Sequence, residues 1–229
     1  MGNISSAKTS NNLVRFITAK SDNLLPRQQQ SAEKLLRSAD CYQQKFIKFP
    51  HLGIFHSYAE LLHAALLESD CEVESFTPQP FMFRLGKARY VPDCYLVKNG
   101  KRIIVELKPK GELSDDKRIP VEEFCRLENM TFEVISNESV LQSEQRALNW
   151  LKIIRVLISA TEIPALEEEH KIYDRLFEET ELELGDIVFK GDRIGQKRIE
   201  IALFRLAHKG IVKLSLDQHP LSYTTMVKL

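Results

Sequence analysis

Two acids and a lysine near the middle of this chain have the types and spacing to do chemistry. Asn99-Gly100 lies between two β-rich runs, and Asn-Gly in that setting predicts a two-residue hairpin turn. Counting outward, Lys98 faces Lys101, Val97 faces Arg102, Leu96 faces Ile103, Tyr95 faces Ile104 and Cys94 faces Val105. The next pair is Asp93 against Glu106. Acids opposed on antiparallel strands have Cβ atoms roughly 4.5–5.5 Å apart and repel. Such a pair calls for a positive group beside it. Lys108 shares a sheet face with Glu106 and could serve; a divalent cation could also. Hard carboxylate oxygens suit Mg²⁺, which keeps most of its waters. A bound metal acidifies water and neutralises phosphoryl oxygens, and a neighbouring ammonium adds positive charge where negative charge develops.

The strip Pro92-Asp93 followed by Glu106-Leu107-Lys108 resembles the PD-(D/E)xK nuclease motif. That resemblance implies that Asp93 and Glu106 hold Mg²⁺ (with Mn²⁺ as a substitute), helped by the Leu107 carbonyl, and that Lys108 orients the attacking water. The plain alternative is a pair of surface acids with Lys108 as an ion-pair partner.

A longer pattern surrounds the motif. Ser57-Tyr58-Ala59-Glu60, then Gln79-Pro80, then Arg89-Tyr90-Val91-Pro92-Asp93 and Glu106-Leu107-Lys108-Pro109 follow in order. Over about residues 45–155 this resembles the TnsA family, endonuclease subunits of heteromeric transposases. The resemblance implies a restriction-endonuclease-like α/β core, a mixed sheet flanked by helices, with Glu60 as an auxiliary metal acid. It implies cutting of the 5′ strands at transposon ends in DNA, beside an integrase-like transposase subunit and an AAA+ ATPase regulator, in the bacterial cytoplasm at the nucleoid. Glu60 has a second reading: Ser57-x-x-Glu60 is a capping box, worth ~1 kcal/mol to a helix. Gln79 belongs to the matched pattern, with packing beside the site as its default role. A stand-alone restriction or repair nuclease would use the same residues, and an adaptor retaining only the fold is a third possibility.

The elements that must position these residues follow from pattern. Residues 57–69 place Tyr58, Leu61, Leu62, Ala65 and Leu66 at helical spacing. Strands are predicted near 73–77 and 80–85, then a hairpin at 88–97 and 101–108. Gly111 and Pro120 bracket a polar loop, and 121–128 follows as a helix. A strand at 131–136 and a long helix over 138–159 follow, an order shared with the core of the nuclease superfamily that the chain resembles. Residues 161–164 form a linker. Beyond it lie a helix marked by Leu166, Tyr173, Leu176 and Phe177, a short element opening at Leu184, and a helix over 193–209 stopped by Gly210. Two strands at 211–216 and 223–229 complete a winged-helix-like unit. Arg198, Arg205 and Lys209 fall on one stripe of its third helix, which could enter a major groove or simply be solvated. The expected division is an N-terminal arm at 1–44, a catalytic domain at 45–160 and the winged-helix-like domain at 161–229.

The chain has 229 residues and no net charge, with 43% hydrophobic content. Residues 1–50 hold eight Lys/Arg against three acids, 161–190 three against ten, and 191–229 seven against three. A protein that binds DNA tightly alone usually carries a basic excess, so affinity is expected to come from partners. No apolar stretch approaches the ~20 residues of a membrane span, no membrane partner is expected, and the start of the sequence lacks the apolar core of a secretory signal. The start only brushes a myristoylation pattern. Cys41, Cys71, Cys94 and Cys125 show no paired spacing, which argues for thiols rather than a zinc site. Cys94 falls on the sheet face opposite Asp93 and reads as core. The six histidines form no ligand pattern.

Overall fold

The structure, a computed structural model, describes residues 17–19 (backbone only), 24–30, 40–189 and 192–229. Most of the expected arm lies outside the described residues. The chain runs through β1 (Ile17–Ala19), β2 (Tyr42–Lys45), β3 (Leu52–Phe55), α1 (Tyr58–Ser69), β4 (Val73–Pro78), β5 (Phe83–Leu85), β6 (Ala88–Tyr90), β7 (Cys94–Lys98) and β8 (Lys101–Lys108). There follow α2 (Asp115–Leu127), β9 (Met130–Ser136), α3 (Asn137–Gln142), α4 (Glu144–Ser159), α5 (Leu166–Glu179), β10 (Glu181–Glu183), α6 (Leu184–Val188), α7 (Arg193–His208), β11 (Lys213–Leu214) and β12 (Met226–Lys228).

Two compact units emerge. One comprises the described residues through Gln44 with His51–Leu61 and Glu72–Leu141; the other comprises Lys45–Pro50, Leu62–Cys71 and Gln142–Leu229. This division differs from a boundary at residue 160, because α4 groups with the C-terminal elements rather than with the sheet.

The first unit is built on a mixed four-stranded sheet in the order β4-β7-β8-β9, with only the β8–β9 pair parallel. The β7–β8 register is the one counted from the turn, from Lys98 opposite Lys101 to Cys94 opposite Val105. Asn99 and Gly100 both take positive φ, 49° and 72°, as a type I′ turn demands. One sheet face and α2 enclose an aromatic core of Phe81, Phe83, Tyr90, Tyr95, Ile104, Val121 and Cys125. Phe83 meets Phe124 edge-on at 5.1 Å and Phe81 meets Tyr95 edge-on at 5.6 Å, the geometry that aromatic quadrupoles favour. Cys94 is buried as expected.

Three local expectations are corrected. The run over 88–97 is not one strand: it breaks at 91–93, and β6 pairs with β5 instead. Pro92 has no N–H to give a ladder. The polar loop closing at Pro120 is largely helix, since α2 begins at Asp115 and carries Pro120 inside it. The helix over 138–159 is interrupted at Ser143, leaving α3 and α4.

In the second unit, α5, β10, α6, α7, β11 and β12 follow in order, and the strands pair as β10-β12-β11. The C-terminal strands are shorter than expected, and Gly210 at φ 73° ends α7 as expected. Buried Asn149 on α4 donates to the Leu216 and His219 carbonyls and accepts from the Leu221 N–H, which fixes the loop between β11 and β12. The buried face of α5 is Glu169, Ile172 and Leu176, whereas Leu166, Tyr173 and Phe177 are exposed. Nor is the basic stripe of α7 a free face. Arg205 donates to the Ala160 carbonyl at 2.8 Å, Arg198 to the Pro164 carbonyl at 3.1 Å, and Lys209 meets buried Glu169. Among the described residues, no helix is long and apolar enough to cross a membrane.

Candidate functional site

The break before β7 is what builds the site. With β7 starting only at Cys94, the Asp93 side chain is released from strand pairing, and its Oδ2 accepts the Leu107 N–H of β8 at 2.7 Å. Glu106, one residue earlier on β8, is buried. Its Oε1 pairs with the Lys108 ammonium at 2.5 Å, so the ion pair of the plain reading is present. Its Oε2 is buried and finds no hydrogen-bond partner among the described residues. A buried carboxylate oxygen without a hydrogen bond of ordinary length is costly, since it has lost water. The Tyr90 hydroxyl is likewise buried, makes no hydrogen bond of ordinary length, and lies close to the Glu106 carboxylate. Burial, then the negative charge of Glu106 and a hydrogen-bond interaction with it, and then the charge of Asp93, hold its ionisation well above the ordinary range.

The electrostatics agree with a site short of positive charge. Burial first, then Glu106 and Glu60, push Asp93 up to about 8, against the lowering pull of the Leu107 N–H and Lys108. For Lys108, burial alone would lower the pKa, but the hydrogen bond to Glu106 and the charges of Glu106, Asp93 and Glu60 outweigh it and raise it. Lys108 is held as a cation, and one cation does not balance three acids.

Glu60 sits in the first turn of α1 and makes half of the capping box, its carboxylate reaching the N–H one residue before the cap instead of the cap's own. Its Oε2 accepts the His56 N–H at 3.1 Å, its Oε1 accepts the Ser57 hydroxyl at 3.0 Å, and its own N–H donates to Ser57 Oγ at 3.2 Å. It also feels Asp93 and Lys108 through charge. Among the described residues, no three His, Cys, Asp or Glu side chains stand close enough together to hold a metal ion. The structure thus brings Asp93, Glu106 and Lys108 together and leaves Glu60 bound to its cap beside them.

Sequence reasoning missed what connects them. Gln79 is buried between Pro78 and Pro80 at φ 40°, a left-handed conformation that costs a non-glycine residue roughly 1–2 kcal/mol. Its Nε2 donates to Glu60 Oε2 at 2.7 Å and its main-chain N–H to the Asp93 carbonyl at 2.9 Å. Strain of this kind gathers where the surroundings over-determine a geometry. Gln28 donates to Gln79 Oε1 at 2.7 Å. The Gln79-Pro80 dipeptide was visible in the matched pattern, but nothing local in sequence marks a partner 51 residues away.

The donor set fits a hard divalent cation. Two carboxylates suffice for Mg²⁺, which retains waters and takes one or two acids from protein, and Glu106 Oε2 has lone pairs to offer. No soft ligand lies in this group, since Cys94 is buried with its thiol held well above its ordinary range by burial and then by Asp93. Comparison of the chain with protein-family models and with curated proteins finds no match.

Proposed function

We propose that the chain is a divalent-metal-dependent DNA endonuclease of the PD-(D/E)xK type, working as the TnsA-like subunit of a heteromeric transposase. The observation that carries the reading is the buried Glu106 oxygen that makes no hydrogen bond of ordinary length, beside an Asp93 whose proton is retained to about pH 8. That arrangement is costly unless a cation is its normal occupant. The mixed sheet flanked by helices is compatible with a restriction-endonuclease-like core, and the order α5-β10-α6-α7-β11-β12 is compatible with a winged helix.

Asp93 and Glu106 would hold Mg²⁺, with the Leu107 carbonyl as the third protein oxygen and Glu60 as an auxiliary acid. When bound, the ion would supply an acidified water and neutralise charge on the phosphoryl oxygens. The Leu107 N–H fixes one Asp93 oxygen and leaves the other to act. The Lys108 ammonium stands beside Glu106, where it would orient water and stabilise the charge that grows on phosphorus. Water attack with loss of the 3′ oxygen leaves a 5′-phosphate and a 3′-hydroxyl. At transposon ends this would cut the 5′ strands, while an integrase-like subunit handles the 3′ strands under an ATPase regulator. Commitment of Arg198, Arg205 and Lys209 to contacts within the chain supports targeting through such partners.

The test is an excision assay with the partner transposase, comparing wild type with Asp93→Ala and Lys108→Ala. Loss of 5′-strand cleavage by about 10²-fold or more is expected for each variant. Undiminished 5′ cutting by both removes the nuclease reading. Efficient Mg²⁺-dependent cutting of naked plasmid by the chain alone would favour a stand-alone restriction or repair nuclease.

A further inference from the structure

The polarity of one side-chain amide outside the acid cluster is fixed by the main chain. Gln28 Oε1 accepts the Ile54 N–H at 3.3 Å and Gln28 Nε2 donates to the Ile54 carbonyl at 2.6 Å. A residue whose own N–H and C=O read both ends of an amide leaves it one orientation. The second hydrogen of Gln28 Nε2 then meets Gln79 Oε1 at 2.7 Å. Gln79 must therefore turn its own NH₂ toward Glu60 Oε2, at 2.7 Å. Its main chain is held as firmly. The Gln79 carbonyl accepts the Gln29 N–H at 2.9 Å, the Pro80 carbonyl accepts the Arg27 N–H at 3.2 Å, and the Gln79 N–H reaches the Asp93 carbonyl at 2.9 Å. One buried residue is thus tied to an acid on α1, to the backbone of an acid beside β7, and to the 27–29 segment.

We propose that Gln28 and Gln79 form a directional amide relay that positions Glu60 and the Asp93 main chain for cation binding, resting on the metal-dependent reading above. Gln79 is a positioning residue: it touches two acids and no reacting atom. The NH₂ group it presents suits Glu60 as an acceptor and holds that carboxylate in one orientation. The 27–29 segment belongs to the site although it carries none of its acids.

The experiment is a Mn²⁺ titration followed by electron paramagnetic resonance, with and without a duplex oligonucleotide, on wild type, Gln79→Met and Gln28→Met. Methionine keeps length and loses the hydrogen bonds. Removing partners that orient ligands typically weakens metal binding by about 10–100-fold, and a loss in that range is expected for both variants. The Gln28 variant is the sharper case, because its amide touches no acid. Urea unfolding of the metal-free proteins provides the control, since a merely structural role lowers the unfolding midpoint and leaves the affinity of the folded protein unmoved. Mn²⁺ affinity within twofold of wild type in a folded variant overturns the relay. Failure of both variants to fold assigns the glutamines to folding and overturns it too. A wild-type chain that binds no Mn²⁺ even with DNA overturns the nuclease reading, and the relay with it.

Discussion

Asp93 stands among groups that penalise its charge, burial first and then Glu106 and Glu60. Its folded pKa is raised from an ordinary 3.8 to about 8, so the folded chain holds a proton that the unfolded chain releases. The stability contributed by that proton is complete below about pH 4 and is lost as the pH climbs to about 8. Asp93→Asn keeps an oxygen for the Leu107 N–H and removes the titration. The metal-free variant is therefore expected to gain thermal stability on wild type as pH rises from 4.5 to 8.5, while losing cleavage. Melting curves across that range check it; a constant difference between the two proteins would refute the assignment. Asp93, Glu106 and Lys108 were legible in sequence because the turn fixes the register of the hairpin, although the ladder ends at Cys94 opposite Val105 and Asp93 lies just beyond it. Glu60 was legible as a cap for the same local reason. The roles of Gln79 and Gln28 were not, because their hydrogen bonds span 19 and 51 residues and no periodicity encodes such pairs.

Secondary structure was readable where local chemistry and tertiary packing agree. The β7–β8 hairpin and the stop of α7 at Gly210 follow from residues that demand positive φ. Expectation failed where packing overrode a local signal. Pro120 is buried inside α2, and the apolar residues Leu166, Tyr173 and Phe177 of α5 are exposed while Glu169 is buried. That burial is tolerated because Lys209 of α7 reaches Glu169. The stripe read as a DNA-facing surface is in part this helix-to-helix tie. Lys209→Met leaves the Glu169 carboxylate buried without its charged partner, and a loss of roughly 1–3 kcal/mol is expected. Half exposure of Lys209 keeps it below the cost for a fully buried pair. Urea denaturation measures it, and Glu169→Gln combined with Lys209→Met should recover part of the loss. Equal stability of the single variant and wild type would mean that the pair is only a surface contact.

Across the whole chain, positive and negative charges balance, and the basic residues of α7 are committed to carbonyls and to Glu169. Electrostatic attraction to DNA scales with phosphates neutralised, so on the proposed reading these three residues would add little to binding of a duplex. The mixed sheet and its flanking helices were implied by the family resemblance. The division into units could not be read from sequence, because a helix next to a linker carries no sign of which core it joins, and α4 groups with the C-terminal elements. On the proposed reading, Asp93 and Glu106 form a seat for a divalent ion. Titration calorimetry with Mn²⁺ at pH 7, repeated in buffers of different ionisation enthalpy, measures both the binding and the protons it displaces. Since Asp93 retains its proton to about pH 8 and a metal ligand must give it up, about one proton per bound ion is expected to be released, and Asp93→Asn should abolish that release. Absence of saturable binding, or binding whose proton count is the same in wild type and Asp93→Asn, would contradict the account.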